Sequence, residues 1–322
     1  MRTNNPPDEP TWALSTVTAG GKRFCIAYDK GVTRETDPVA AAYRAGSLKH
    51  LSTLIQVAMN VLQPGSRVLD LGAHLGGFAL TAAALGCEVI AVEASAQQAA
   101  LLRTSAEHND FRKLDVIHAA VGEASGVVEF SPHGPWGHVA TPATGMPSVS
   151  VPAIRLDDLL AQRGWQSVHF IKLDVEGSEV RAIRGMQRLL QRPDAPPIFF
   201  ESNRHTLGFY GDSPEGLRAQ FHRFGYAVYH VRSGILIPAS ETDTQEKTVV
   251  DYLAAKQLPP RLSAWRRTSA RSLWWRLKRV VHGALLPKLI SGELRATEAQ
   301  RFVDGVDSVD EVDSGKRRRD SR

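Results

Sequence analysis

In the stretch VLDLGAHLGGF, Val68 to Phe78, an aspartate sits in a short apolar run, and glycines follow at positions 72, 76 and 77. A strand that turns at once into a helix leaves free backbone N–H groups at the helix start, and glycines there let a ligand approach the backbone. A dinucleotide pyrophosphate asks for G-x-G-x-x-G at this place. Here the spacing is Asp70-x-Gly72-x-x-x-Gly76, and His74 stands where the second glycine of that fingerprint belongs. The fingerprint fails. S-adenosylmethionine has no phosphate to cradle; it carries a ribose, an amino acid and a sulfonium, and an acidic turn suits its ammonium end. Glu93 closes the next apolar run, EVIAVE, where a carboxylate can accept both ribose hydroxyls.

Two further runs end in groups able to handle protons. HFIKLDVEGSEV carries Lys172, Asp174, Glu176 and Glu179, and PIFFESNRH brings Glu201, Asn203 and His205. In an open parallel sheet, ligands bind beyond the carboxyl ends of the strands, so an acceptor would meet the donor here. An alcohol oxygen is a weak nucleophile and needs a base to remove its proton as the new bond forms. Glu176, Glu201 and His205 are the candidate bases, with Asp174 orienting the acceptor or lying beside the donor. Glu179 and Arg181 read as helix-start charges in water. Asp174, Glu176 and Glu201 would suffice as oxygen ligands for a divalent metal, but nothing in the spacing demands one, and no metal is predicted.

The elements that must position these groups are short apolar runs alternating with helices. RVLDLG, EVIAVEAS, DVIHAAVG, HFIKLDVEG and PIFFESN are the runs; GFALTAAALG, SAQQAALLRTSAEHND (with Ser95 as N-cap) and SEVRAIRGMQRLLQR lie between them. Near-continuous apolar strands separated by helices indicate an α/β fold with a mostly parallel sheet covered on both faces. WALSTVT and KRFCIAYD read as two strands around a Gly-Gly turn, followed by a helical stretch broken near Gly46. YAVYHV and GILIPAS are two strands that close the sheet. One domain over 11–260 results, with the hairpin and first helices in 11–62 and a catalytic core in 63–260.

The net charge of +5 belongs to one segment. Residues 261–290 carry eight Lys/Arg and no acid, and 291–322 carry seven basic against eight acidic residues, which leaves 1–260 at −2. A nucleic-acid face over the main domain is therefore not expected. In 261–290, Leu273, Trp274, Leu277, Val280, Val281, Ala284 and Leu285 share one helical face, and Arg276, Arg279 and His282 lie off it. Such a basic amphipathic segment either packs its apolar face on the domain or contacts an anionic membrane surface. Residues 1–10 and 291–322 are polar and expected to be disordered. No apolar run reaches spanning length, and the two cysteines show no metal-like spacing, so a cytoplasmic setting, with peripheral contact at the inner membrane surface as an option, is the expectation.

VLDLGAHLGGFAL, AVEAS, VIHAAVGEASGVVEF, IKLDVEGSEVRAIRGM and IFFES together resemble the FkbM-type methyltransferases, over roughly residues 50–235. The resemblance implies a Rossmann-like class I fold with a seven-stranded sheet and O-methylation of a sugar, glycan or natural-product hydroxyl. It also implies a donor site at Asp70, Gly72, Gly76 and Glu93, with Ala73, His74, Ala94, His118, Ala119 and Asp174 on the donor surface. The family usually has Asn where His74 stands, and commonly Asn or a similar residue where His118 stands. Enzymes that methylate exocyclic amines of nucleobases typically carry an Asn/Asp-Pro-Pro-aromatic turn; here that turn is DVEG, so a nucleic-acid amine is not the expected target. Two other classes share this sheet: an NAD-type oxidoreductase, and a non-catalytic interaction protein on a methyltransferase scaffold. The oligomeric state is not legible from these residues.

Overall fold

The period of two along each strand decides which face of the sheet every side chain takes, and with it where the charges fall. The computed structural model describes residues 10–141, 145–232 and 234–266. It opens with a hairpin of β1 (Trp12–Ala19) and β2 (Lys22–Asp29), closed by Gly20 and Gly21 at φ 56° and 72°. The outer edge of β2 is satisfied by side chains of a later helix: Ser105 Oγ accepts from the Ala27 N–H, and Asn109 pairs with both the N–H and the carbonyl of Cys25. Helices α1 (Pro38–Arg44) and α2 (Ser52–Met59) follow, separated at the expected break near Gly46.

The core then alternates β3 (Arg67–Leu71), α3 (Gly77–Ala84), β4 (Glu88–Glu93), α4 (Ala96–His108) and β5 (Leu114–His118). Ser95 caps α4 as expected, its hydroxyl accepting from the Gln98 N–H. Next come β6 (Ala120–Gly122), β7 (Gly126–Ser131), β8 (His138–Val139), β9 (Val149–Arg155) and α5 (Leu156–Gln162). After them run β10 (Phe170–Leu173), α6 (Glu179–Gly185), α7 (Gln187–Gln191), β11 (Ile198–Asn203), α8 (Arg204–Gly208) and α9 (Pro214–Arg223). The described part ends with β12 (Ala227–Arg232), β13 (Ile235–Ala239), β14 (Val249–Ala255) and α10 (Pro260–Ser263).

The main sheet has eight strands in the order β13-β12-β14-β11-β10-β3-β4-β5. Strands β11, β10, β3, β4 and β5 are mutually parallel, while β14 is antiparallel to both β11 and β12, and β13 is antiparallel to β12. The expected seven-stranded, mostly parallel sheet is thus an eight-stranded mixed one. The difference is β14, which slots between β11 and β12. A second sheet, ordered β6-β9-β7-β8, was not expected either. The run DVIHAAVG does not form one strand: it divides at Ala119, β5 staying in the main sheet and β6 pairing with β9. Likewise the helix over SEVRAIRGMQRLLQR breaks at Met186 into α6 and α7.

Two apolar layers flank the main sheet. Val68, Val89, Ala91, Phe170, Phe199 and Leu253 face α2, α3, α4 and the hairpin; Leu69, Leu71, Ile90, Ile171, Phe200 and Tyr252 face α5, α6, α7 and α9. Leu262 of α10 is buried, and the Leu236 N–H donates to the Trp265 carbonyl. Residues 1–9, the basic segment beyond Arg266 and the tail 291–322, for which the sequence carries expectations, lie outside the described residues. Among the described residues, no helix is long and apolar enough to cross a membrane, and Cys25 and Cys87 are free thiols.

Helix α6 meets the small sheet at Gly185. A β-carbon there would stand 2.1 Å from the Gly122 carbonyl oxygen on β6, a backbone atom that cannot swing aside. Gly185→Ala is expected to cost about 2–3 kcal/mol, read as a lower urea midpoint with an unchanged slope.

Candidate active site

Extending the alternation to the strand ends puts Asp70, Glu93, Lys172, Asp174, Glu201 and Asp251 on one face of the sheet, the face that carries Val68, Ala91, Phe170, Phe199 and Leu253 lower down. Asp70 and Lys172 are register partners on β3 and β10, where the strand order reverses. The Lys172 ammonium lies 3.5 Å from Asp70 Oδ1 and 3.2 Å from Asp174 Oδ2, and donates to the Gly72 carbonyl. Burial works against that charge, but Asp174 and Asp70 outweigh it and hold the Lys172 pKa above its ordinary value. Asp70 is fully buried; burial pushes its carboxyl up to about 6 against the pull of Lys172 and of the Ala79 N–H, which donates to Oδ2 at 3.0 Å.

The turn after β3 is built from left-handed residues: Gly72 at φ 78°, His74 at 52° and Gly76 at 80°. A β-carbon on Gly72 would fall 1.7 Å from the Asp174 carbonyl oxygen, and one on Gly76 would fall 2.1 Å from Leu102 Cδ1. His74 tolerates its positive φ as Asn and Asp do. Its N–H donates to Glu93 Oε2 at 2.7 Å, and Ser95 N–H donates to Glu93 Oε1 at 2.8 Å. The His74 ring, through Nε2, meets Asp37 Oδ2 at 3.0 Å; Asp37 also caps α1 by accepting from the Ala40 N–H. Burial alone would raise the Asp37 pKa, but these partners hold it below the usual carboxylate value.

A cavity of about 440 Å³ opens over this turn, within the range of small-molecule sites. Asp70, Gly72, Glu93 and Asp174 line it, as do Ala73, His74, Ala94 and Ala119. Gly76 and His118 do not: Gly76 is a packing glycine under α4, and His118 Nε2 is bonded to the Ala94 carbonyl at 3.0 Å. The site fits S-adenosylmethionine on two observations. Asp70 Oδ1 is buried and, beside the Lys172 ammonium at 3.5 Å, has no hydrogen-bond partner among the described residues; Glu93 uses only one lone pair of each oxygen on the backbone.

At the other end of the cavity, Asp174, Glu176 and Glu201 bring ligand-capable oxygens within 4.8 Å of one another, a spacing that could also hold a divalent cation. Glu176 sits at φ 49°; burial, then the charges of Asp174 and Glu179, push its carboxyl up to about 8. Burial, then the charges of Asp174, Glu176 and Asp251, raise Glu201 well above its ordinary value. Asp251, absent from the candidates read in the sequence, is the register partner of Glu201 and is pushed up to about 6 by burial and Asp174. Glu179 is not a helix-start charge in water: it is 3% exposed, and its Oε1 accepts from the Val175 and Gly177 N–H groups. Arg181 lies over the Tyr210 ring at 4.3 Å. His205 stands exposed in the first turn of α8, where Asn203 caps the chain as it leaves the sheet, and it is not part of the cavity wall. His138, in a stretch without strand or helix period, lines the cavity instead.

Residues 70–228 match the Methyltransferase FkbM domain. The chain carries an FkbM methyltransferase domain. No curated protein matches this methyltransferase. Among solved structures it is similar to precorrin-6y C5,15-methyltransferase from Geobacter metallireducens, at 15% identity and TM-score 0.39, over 66% of this chain and 90% of that one. It is also similar to the 16S rRNA N2 G1207 methyltransferase of T. thermophilus in complex with AdoMet and guanosine, at 15% identity and TM-score 0.42, over 78% of this chain and 52% of that one. A SAM-dependent methyltransferase from Agrobacterium tumefaciens matches at 14% identity and TM-score 0.41, over 78% and 72% of the two chains.

The crowded acids of this methyltransferase titrate higher in the folded chain than in the unfolded one. Between the ordinary carboxylate range and about pH 8, the folded state therefore holds more protons, and stability falls as pH rises through that window. Melting temperature is expected to decline from pH 5 to pH 9, and Glu176→Gln to flatten the decline; a curve that rises over this range would contradict the assignment.

Proposed function

We propose that the protein is an S-adenosylmethionine-dependent O-methyltransferase whose acceptor is a hydroxyl of a sugar, glycan or sugar-bearing natural product. The observation that carries this reading is the row of Glu176, Glu201 and Asp251 at one end of a cavity whose other end presents Glu93. Burial and neighbouring charge raise all three, and Glu176, pushed up to about 8, keeps its proton near neutrality and can donate as well as accept. A polyol needs both kinds of partner at neighbouring positions, which an apolar or purely cationic acceptor does not.

Bound S-adenosylmethionine supplies an electrophilic methyl group. Glu93 accepts from the ribose hydroxyls, and Asp70 with the turn backbone faces the ammonium end. Glu176 and Glu201 hold acceptor hydroxyls, while Tyr43, Phe78 and Phe199 give the cavity apolar wall that excludes water. Methyl transfer is an in-line displacement, so such positioning and dehydration account for much of the rate. The turn DVEG, in place of an Asn/Asp-Pro-Pro-aromatic sequence, supports an oxygen rather than a nucleobase amine as the target.

Incubation with methyl-labelled S-adenosylmethionine and host extract, split into glycan, lipid, protein and nucleic-acid fractions, is expected to label the glycan or lipid-linked glycan pool; label confined to nucleic acid would overturn the reading. Glu93→Gln is expected to weaken S-adenosylmethionine binding by about 10- to 100-fold through lost charge-assisted bonds, measured by calorimetry. An unchanged affinity, or stabilisation of the wild type by NAD alone, counts against the donor site.

A further inference from the structure

We infer that His138 is the base that takes the acceptor's proton, an assignment that rests on the O-methyl-transfer reading and names the residue that reading lacks. His138 is 3% exposed, lines the cavity that holds Glu176 and Glu201, and stands on the two-residue strand β8. Its ring packs on Phe209 at 5.2 Å. Phe209 follows α8, the helix that continues from Glu201 and β11, so His138 reaches the cavity on the acceptor side.

The hydrogen bonding of the ring selects the tautomer. Nδ1 lies 2.9 Å from the Trp136 carbonyl oxygen, and a carbonyl can only accept, so Nδ1 carries the hydrogen. In the neutral ring Nε2 is then a bare lone pair. That nitrogen is buried and has no hydrogen-bond partner among the described residues. A buried acceptor without a partner is costly unless something entering the cavity satisfies it, and the hydroxyl hydrogen of the acceptor does so. The segment around the ring is tied on both sides: Tyr210 donates its hydroxyl hydrogen to the Val139 carbonyl at 2.6 Å, and Gln98 Nε2 donates to the Gly134 carbonyl, before the strand, at 3.1 Å. His205, the histidine named among the candidate bases, lies off the cavity wall.

In the step assigned to it, the acceptor oxygen forms a bond to the methyl carbon while the carbon–sulfur bond breaks and leaves its electron pair on sulfur. The hydroxyl proton passes to Nε2. The positive charge of the sulfonium is thereby replaced by that of an imidazolium, whose Nδ1–H remains on the Trp136 carbonyl, and solvent later removes the proton.

The test compares wild type and His138→Gln on the fraction of host extract that the wild type labels. The variant is expected to lose at least about 100-fold in kcat, with S-adenosylmethionine affinity within about twofold, and to lose the acid-side limb of the wild-type pH–rate profile. Activity of the variant within about threefold of wild type, with that limb intact, overturns the role of His138 alone. Absence of transfer by the wild type to every fraction overturns the methyl-transfer reading, and this assignment with it. Nitrogen NMR of the wild-type imidazoles gives an independent readout that needs no variant to fold: a bare Nε2 on His138 supports the assignment, and a proton on Nε2 with Nδ1 bare overturns it.

Discussion

A single ammonium, that of Lys172, stands where the order of strands reverses, between two carboxylates and one backbone carbonyl. Asp70 is fully buried, and a buried carboxylate stripped of its counter-charge costs on the order of 3–5 kcal/mol. With Lys172 in place, Asp70 can hold the Ala79 N–H and so fix the start of α3. The same ammonium binds the Gly72 carbonyl and thereby the turn itself. On its far side it draws Asp174 toward the strand ends. The turn after β3, the start of α3 and Asp174 thus share one electrostatic hub.

From that hub the arrangement of the site follows by alternation. Every second residue of β3, β4, β10, β11 and β14 faces the same side, so acids at the strand ends arrive together although they are far apart in the chain. Burial and mutual repulsion then raise the pKa values of Glu176 and Asp251, so the cluster carries less negative charge than its residue types suggest. The backbone contributes in a similar way. Glu93 is fixed by the N–H groups of His74 and Ser95 before any ligand arrives, and its orientation is therefore ready-made.

What could be read from the residues was whatever depends on local pattern. The runs around Asp70, Glu93, Asp174 and Glu201 are short, apolar and bounded, and each became a strand of the main sheet. The hairpin around Gly20 and Gly21 and the Ser95 cap were legible for the same reason. The misses have a common cause, in that each is decided by a partner distant in sequence. Strand β14 carries Asp251, yet its place between β11 and β12 follows from pairing with both. DVIHAAVG shows no mark at Ala119; only β9, more than thirty residues on, draws Ala120–Gly122 into a second sheet. His138 lies among glycines and prolines with no period at all, and a two-residue pairing with β7 is what brings it to the cavity. Glu179 looked like an ordinary first-turn acid, but its carboxylate folds back on the N–H groups of Val175 and Gly177.

The glycines of the donor turn have a second master. The ends of β3 and β10 approach so closely that position 72 has no room even for a methyl group, with or without a ligand nearby. A descendant that gave up transferring methyl groups would still be compelled to keep that residue merely to stay folded. The glycine signature that first draws the eye is thus accounted for by packing alone, and its survival in a related chain says nothing by itself about whether that chain still works as an enzyme.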